Sequence, residues 1–214
     1  MAVREDTATE AATKAAMEAA MEAAENAFLI EAECLKEVFS RIDAGAFRKA
    51  VSILSEAGRI AASACGHSGI ACMHFAHLMC CIERPARFIS PSEAVHGGMG
   101  FLQEGDALLL ASRGGKTQEL LPIMEIGASK GATVIVVTEN TDSPLAKGAD
   151  IVLKMYVTRE TDRHDCQGTT SNTVMNAIFD ALQAAMIEKT GFRTESFALV
   201  HPGGAVGERL NKKK

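Results

Sequence analysis

The chain has 214 residues, 47% of them hydrophobic and 23% charged, a globular balance that excludes wholesale disorder, a collagen-like repeat or a disulfide scaffold. That length holds one domain of ordinary size with room for a helical extension. Its 22 Lys and Arg against 27 Asp and Glu leave a net charge of −5, so the overall field offers nothing to nucleic acid or to an anionic membrane surface, and an anionic ligand must be held locally.

The segment AATKAAMEAAMEAAE is built from the strongest helix formers and runs on into NAFLIEAECLKEVFSRI with apolar residues at helical spacing. One helix is predicted from about Thr9 to Ile42, broken by Asp43, Ala44 and Gly45; it forms an N-terminal extension, residues 1–42, that packs on a domain of residues 43–214. A second helix, FRKAVSILSEA, leads to Gly58. From Arg59 onward short apolar strands alternate with helices. RIAASAC, ARFIS, DALLLAS, TVIVVTE and DIVLKMYV read as strands; SGIACMHFAHLMCCI, TQELLPIMEIGASKG, SPLAKGA and SNTVMNAIFDALQAAMIEKTG read as helices. Continuous apolar strands separated by helices predict an α/β fold, a three-layer α/β/α sandwich around a five-stranded parallel sheet. The first ten residues are polar and acidic and no run of about 18 apolar residues follows, so neither export nor membrane insertion is expected. Six cysteines without CxxC spacing predict reduced thiols in a cytoplasmic protein.

Ligands of such sheets bind at the C-terminal edges of the strands, which directs attention to the loops that follow them. These are Cys65 to Gly69, Ser90 to Gly100, Ser112 to Thr117, Thr158 to Ser171, and the late segment His201 to Gly207. Glycine- and hydroxyl-rich loops that open a helix suit a phosphate-sized anion, because backbone N–H groups and the helix dipole point at it. Gly115-Lys116-Thr117 copies the end of a P-loop, but Leu110 stands where the first glycine of that motif belongs, so a nucleotide is not expected. Ser112, Arg113, Lys116 or Thr117 would instead hold the anion of a small substrate. Glu119 and Glu160 are candidate carboxylates, and His96 and His201 candidate imidazoles, for acid/base chemistry on a phosphorylated small molecule. His67, His74, His77 and Cys81 share one face of a predicted helix; packing of that face against the sheet is favoured over a zinc site, and no metal or other cofactor is expected.

From about Ile30 to Leu210 the chain resembles the sugar isomerase (SIS) domain family, most closely its arabinose-5-phosphate isomerases. The resemblance is carried by IEAECLKEV, GHSG, SPSEAVHGGMGFLQEGD, SRGGKTQELLP, TENTDSPLAKGADIVL, TTSNTVMNAIFDAL and GFRTESFALVHPGGAVGERL. It implies a five-stranded parallel sheet, a homotetramer or homodimer, and interconversion of an aldose phosphate with a ketose phosphate. Many relatives carry a CBS pair after this domain, which a chain ending at NKKK is expected to lack. By resemblance, Glu119 and Glu160 match the two functional glutamates, His201 the C-terminal catalytic histidine, and His96 the histidine of the loop before the third strand. Ser112, Thr117, Thr169, Thr170 and Ser171 match the phosphate-handling positions, with Ser68 and Gly115 beside them.

Two departures stand out. His67 occupies the place of a lysine in the first loop, and in the phosphate loop Gly114 replaces a serine while Lys116 replaces a glutamate. An aldose–ketose isomerase of this kind would use Glu160 or Glu119 to move the carbon-bound proton, His201 to assist ring opening or the oxygen-bound proton, and His67 or His96 to polarise the carbonyl. The departures admit another anionic sugar, such as a different sugar phosphate or a sulfonated one. A non-catalytic sugar-phosphate sensor is the rival reading, since SIS domains also serve in regulators.

Overall fold

A computed structural model describes residues 2–211, with side chains from residue 12 onward; the end of the predicted domain, residues 212–214, lies outside the described residues. Five strands, β1 (Ile60–Ser63), β2 (Ala86–Phe88), β3 (Ala107–Ala111), β4 (Thr133–Thr138) and β5 (Ile151–Lys154), form one sheet in the order β2-β1-β3-β4-β5. Every pairing is parallel. Alternate residues of each strand enter opposite layers, as a period of two requires. Ile60, Ala62, Leu109, Ile135 and Leu153 face one layer, whereas Ala61, Leu108, Leu110, Val134 and Val136 face the other. Both faces are covered, which is why the strands read as unbroken apolar runs.

The first layer holds helices α1 (Ala2–Arg41), α2 (Ala44–Glu56), α3 (Gly66–Cys81) and α7 (Thr170–Thr190). On the second lie α4 (Pro91–Ala94), α5 (Leu121–Ser129) and α6 (Pro144–Lys147). Helix α1 begins earlier than predicted, because nothing between Ala2 and Thr9 breaks a helix. Among the described side chains, its C-terminal part carries the anchor: Cys34 and Val38, with Ile42 just past its end, are buried, while Met17, Met21 and Phe28 are more than 60% exposed. Asp43 ends that run by capping α2, its carboxylate accepting the Ala46 N–H at 2.6 Å.

Three departures from the sequence reading shape the site. The helix predicted from Thr117 onward divides into a 3-10 turn at Gln118–Leu120 and then α5, because Pro122 has no N–H to continue an α-helical ladder across that point. Strand β5 stops at Lys154 instead of Val157; its last bond to β4 is Met155 N–H to the Thr138 carbonyl, at 3.0 Å, and beyond it the chain turns towards Glu160. The His/Cys face of α3 points outwards rather than into the core. His74 is 45% exposed beside Asp180 of α7, and His77 lies on Cys81 at 3.6 Å, while Gly69, Ala71, Cys72, Phe75, Ala76 and Met79 are the buried set. Beyond α7, two further helices, α8 (Thr194–Val200) and α9 (Gly204–Asn211), pack against each other, and α9 opens inside the segment His201 to Gly207 that the sequence suggests is loop.

Candidate active site

Strand order reverses at β1. The chain leaves β1 through α3 towards β2 on one side, and leaves β3 through α5 towards β4 on the other, so their two exit loops part at neighbouring strand ends and open a crevice. Residues Cys65 to Ser68 form one wall. Gly66 takes a φ of +56°, and Gly69 runs so close to the preceding strand that a Cβ would sit 2.8 Å from the Ala64 carbonyl oxygen. This turn presents the first amides of α3 together with Ser68 and the exposed His67; Cys65, at the N-cap, makes no side-chain cap bond. Burial pushes the Cys65 thiol upwards from its usual range, and the charge of Glu119 adds to that, so the β3 exit loop lies alongside.

The second wall is Ser112 to Glu119. Ser112 is buried and its Oγ lies 2.9 Å from Thr117 Oγ1 while accepting the Gly115 N–H at 3.1 Å, so the loop is tied by its own hydroxyls. Gly115, at φ +64°, is required: a Cβ there would overlap the hydroxyl of Ser143, which caps α6. Lys116 and Glu119 are exposed at the mouth, with no hydrogen bond or ion pair between either side chain and another described residue. Arg113 turns back into the protein instead. Its Nε donates to Glu139 Oε2 at 2.9 Å and its Nη1 to Glu160 Oε1 at 2.7 Å, across the exits of β4 and β5.

Glu160 is 3% exposed and fully engaged. Besides Arg113, its Oε2 accepts the Thr169 N–H at 2.9 Å, the Ser171 N–H at 3.1 Å and the Thr169 hydroxyl at 3.3 Å. The free amides at the start of α7, where the sequence places a substrate anion, thus already hold the chain's own carboxylate. The loop before α7 is closed by Asp162, which accepts the N–H groups of Gln167 at 2.8 Å, His164 at 2.9 Å and Cys166 at 3.0 Å. Chiefly the Gln167 N–H, with those of Cys166 and His164 and against partial desolvation, brings its carboxyl down to about 2. Asp165 accepts the Glu160 N–H at 2.6 Å from the same loop. Gly168 then passes over His67 so closely that a Cβ would meet Nδ1 at 2.8 Å, which joins this loop to the first wall.

The structure therefore ties Ser112, Arg113, Gly115, Thr117, Glu160 and Thr169 into one frame and joins it to the first loop where Gly168 lies on His67; Glu119 acts electrostatically on Cys65 of that loop, and Ser68 and Lys116 stand in the same two exit loops. Ser171 is buried and takes part through its N–H, and Thr170 is wholly buried, its hydroxyl oxygen without a partner among the described residues. His96 is exposed after α4, in the connection leaving β2, with no side-chain hydrogen bond among the described residues. His201 stacks on Phe197 at 4.3 Å as the C-cap of α8, its Nδ1 buried and without a partner among the described residues. Among the described residues, no hydrogen bond or ion pair joins it to the crevice. Glu139 lies in the matched segment TENTDSPLAKGADIVL, and Asp162 and Gly168 in the loop Thr158 to Ser171, but the sequence assigns none of them a role; only their contacts reveal it. Among the described residues, no three His, Cys, Asp or Glu side chains converge as a metal site, and no helix is long and apolar enough to cross a membrane.

The SIS domain family matches residues 53–185, from the last turn of α2 through most of α7, and the chain belongs to that family. It is 34% identical over 181 residues to the arabinose 5-phosphate isomerase KpsF of Escherichia coli, an alignment covering 84% of this chain and 55% of that protein. The chain thus spans about half the length of the curated relatives it matches. Among solved structures, a putative sugar-phosphate isomerase of Listeria monocytogenes superposes with a TM-score of 0.84 at 37% identity, covering 87% of this chain and 98% of the other. An Escherichia coli protein in complex with arabinose 5-phosphate superposes with a TM-score of 0.80 at 26% identity, covering 86% and 98%.

Proposed function

We propose that this protein interconverts an aldose phosphate and a ketose phosphate through an enediol, with arabinose 5-phosphate and ribulose 5-phosphate as the first pair to test. The observation that carries the reading is the division of labour between the two carboxylates. Glu160 is buried with both oxygens occupied, whereas Glu119 stands exposed at the mouth beside Lys116 and the first amides of α3. A general base needs a free lone pair directed at the substrate, and Glu119 has one. In the open-chain aldose it takes the proton from the carbon next to the carbonyl, and the electrons move to the carbonyl oxygen, which is protonated. Return of a proton to the former carbonyl carbon, with loss of the neighbouring hydroxyl proton, gives the ketose. In this reading His67, exposed in the first turn of α3, protonates or polarises that oxygen, and Lys116 with Thr117 holds the phosphate.

His201 reaches this chemistry from a second copy of the chain. Within one chain it rides on α8 and α9, where Leu199 is 78% and Val200 48% exposed, an apolar surface suited to contact with another subunit. The enzyme is accordingly expected to work as a homodimer or homotetramer.

The test is proton NMR in deuterated water with arabinose 5-phosphate and a panel of other pentose, hexose and sulfonated sugars. Deuterium at the carbon next to the carbonyl, with ketose formed, is the expected result. Glu119→Gln should slow it by about 100- to 10,000-fold, the usual contribution of a general base. Binding without exchange across the whole panel would refute the isomerase and favour a sensor.

A further inference from the structure

We propose that Glu139, at the exit of β4, is a positioning residue: it locks the plane of the Arg113 guanidinium so that Arg113 holds Glu160, and through Glu160 the start of α7, in the geometry the site requires. The inference rests on the strand-end crevice being the reactive site. Arg113 is followed by Gly114 and Gly115 and its side chain is 34% exposed, so no neighbouring side chain after it keeps it from swinging into solvent. Glu139 supplies the restraint. It grips residue 113 twice, accepting from Nε at 2.9 Å with its side chain and donating its own N–H to the Arg113 carbonyl at 3.0 Å. Thr138 adds its hydroxyl to the same carbonyl at 3.0 Å. The second Glu139 oxygen accepts the Val157 N–H at 3.4 Å, which ties the exit of β5 to the same point.

A guanidinium is planar, so fixing Nε fixes the direction of Nη1, which lands on Glu160 Oε1 at 2.7 Å. Glu160 Oε2 in turn gathers Thr169 and Ser171 at the head of α7, and Gly168, one residue earlier, lies on His67. One continuous set of contacts therefore runs from Glu139 to His67 across the exits of β4, β3, β5 and β1. The charges point to geometry as the purpose. One cation serves two carboxylates, and Glu160 also has the amides of α7; an arrangement selected for ion pairing alone would not need Glu139 as well.

Glu139→Gln, Glu139→Asp, Arg113→Lys and the double variant Glu139→Gln/Arg113→Lys test this in the full chain. The first readout is amide hydrogen exchange at Thr169 and Ser171 without any ligand. Glu139→Gln is expected to speed it by roughly tenfold, because these amides lose a fixed acceptor. The second is turnover of arabinose 5-phosphate. There kcat should fall by about 10- to 100-fold while KM changes by less than about threefold, as expected when a reacting group is misplaced rather than a binding contact removed. Glu139→Asp, which keeps the charge, should lie between parent and Glu139→Gln, and the double variant should be no worse than Arg113→Lys alone. Parent-like exchange and kcat in Glu139→Gln, or effects of the two single changes that multiply, would overturn the proposal. If the parent turns over no sugar phosphate, the functional reading falls, and the hydrogen-exchange comparison still decides whether Glu139 positions the head of α7.

Discussion

Replacing Glu160 with glutamine tests the view that this carboxylate is a fixed part of the frame. The side chain is 3% exposed and accepts from Arg113 Nη1 at 2.7 Å, Thr169 N–H at 2.9 Å, Ser171 N–H at 3.1 Å and Thr169 Oγ1 at 3.3 Å, all donors. An amide offers one acceptor oxygen and one NH2 group. Whichever way it is turned, two donors face each other, either at Arg113 or at the head of α7. Losing a hydrogen bond to a charged group costs about 1.5–3 kcal/mol, and losing the anion at a helix N-terminus costs about 0.3–1 kcal/mol more. Arg113 is partly solvated and keeps Glu139, so the loss stays below the roughly 3–5 kcal/mol of a fully buried pair broken on one side. The expected destabilisation is about 2–3 kcal/mol, read from urea unfolding followed by far-UV circular dichroism at neutral pH, with an unchanged m-value. The thermal midpoint should fall by roughly 5–10 °C. Glu119→Gln is the control: exposed and unpaired among the described residues, it should stay within about 0.5 kcal/mol of the parent. A Glu160→Gln protein as stable as that control would refute the reasoning, since a carboxylate with four donors cannot then be what holds the head of α7.

Gly115→Ala should destabilise by about 2–3 kcal/mol in thermal melts, because it combines a left-handed backbone, about 1–2 kcal/mol, with displacement of the Ser143 cap, about 1 kcal/mol. Gly114→Ala, with open space around its Cβ, should be neutral, and equal melting of the two variants would contradict this account of the loop. Asp162 predicts a pH response of the loop before α7. Its folded-state value of about 2 lies below its ordinary 3.8, so the stabilisation is fully present above pH 4 and is lost as pH falls through 2. Limited digestion with an acid protease should therefore cut residues 162–168 more readily at pH 2 than at pH 4; equal cutting would show that the carboxylate does not hold the loop.

The layer architecture is legible in the sequence because it depends on local periodicity. Val134, Ile135, Val136 and Val137, buried on both faces, can only be a covered parallel strand, and residues 121–129 need only a correction at Pro122. Motif and strand-end position likewise locate the loops at Cys65, Ser112 and Thr169. The failures have a common physical cause. Arg113 reads as a free cation for a substrate, because its partners, Glu139 and Glu160, are 26 and 47 residues away. The start of α7 reads as an empty anion site, because nothing local announces that a carboxylate on the preceding loop will fill it. The His/Cys face of α3 reads as packed, although which stripe of a helix is buried depends on the sheet beneath it.

The sequence by itself determined the five strands, most of the helices and which loops reach the C-terminal edge, since backbone propensity and side-chain period are properties of neighbours along the chain; the division at Pro122 and the helices α8 and α9 came from the structure. Only the tertiary structure decided which of two glutamates has both oxygens engaged, which cation is already paired and which glycine must pass over His67. Those outcomes depend on charges and surfaces meeting across strand ends, where distance along the chain carries no information.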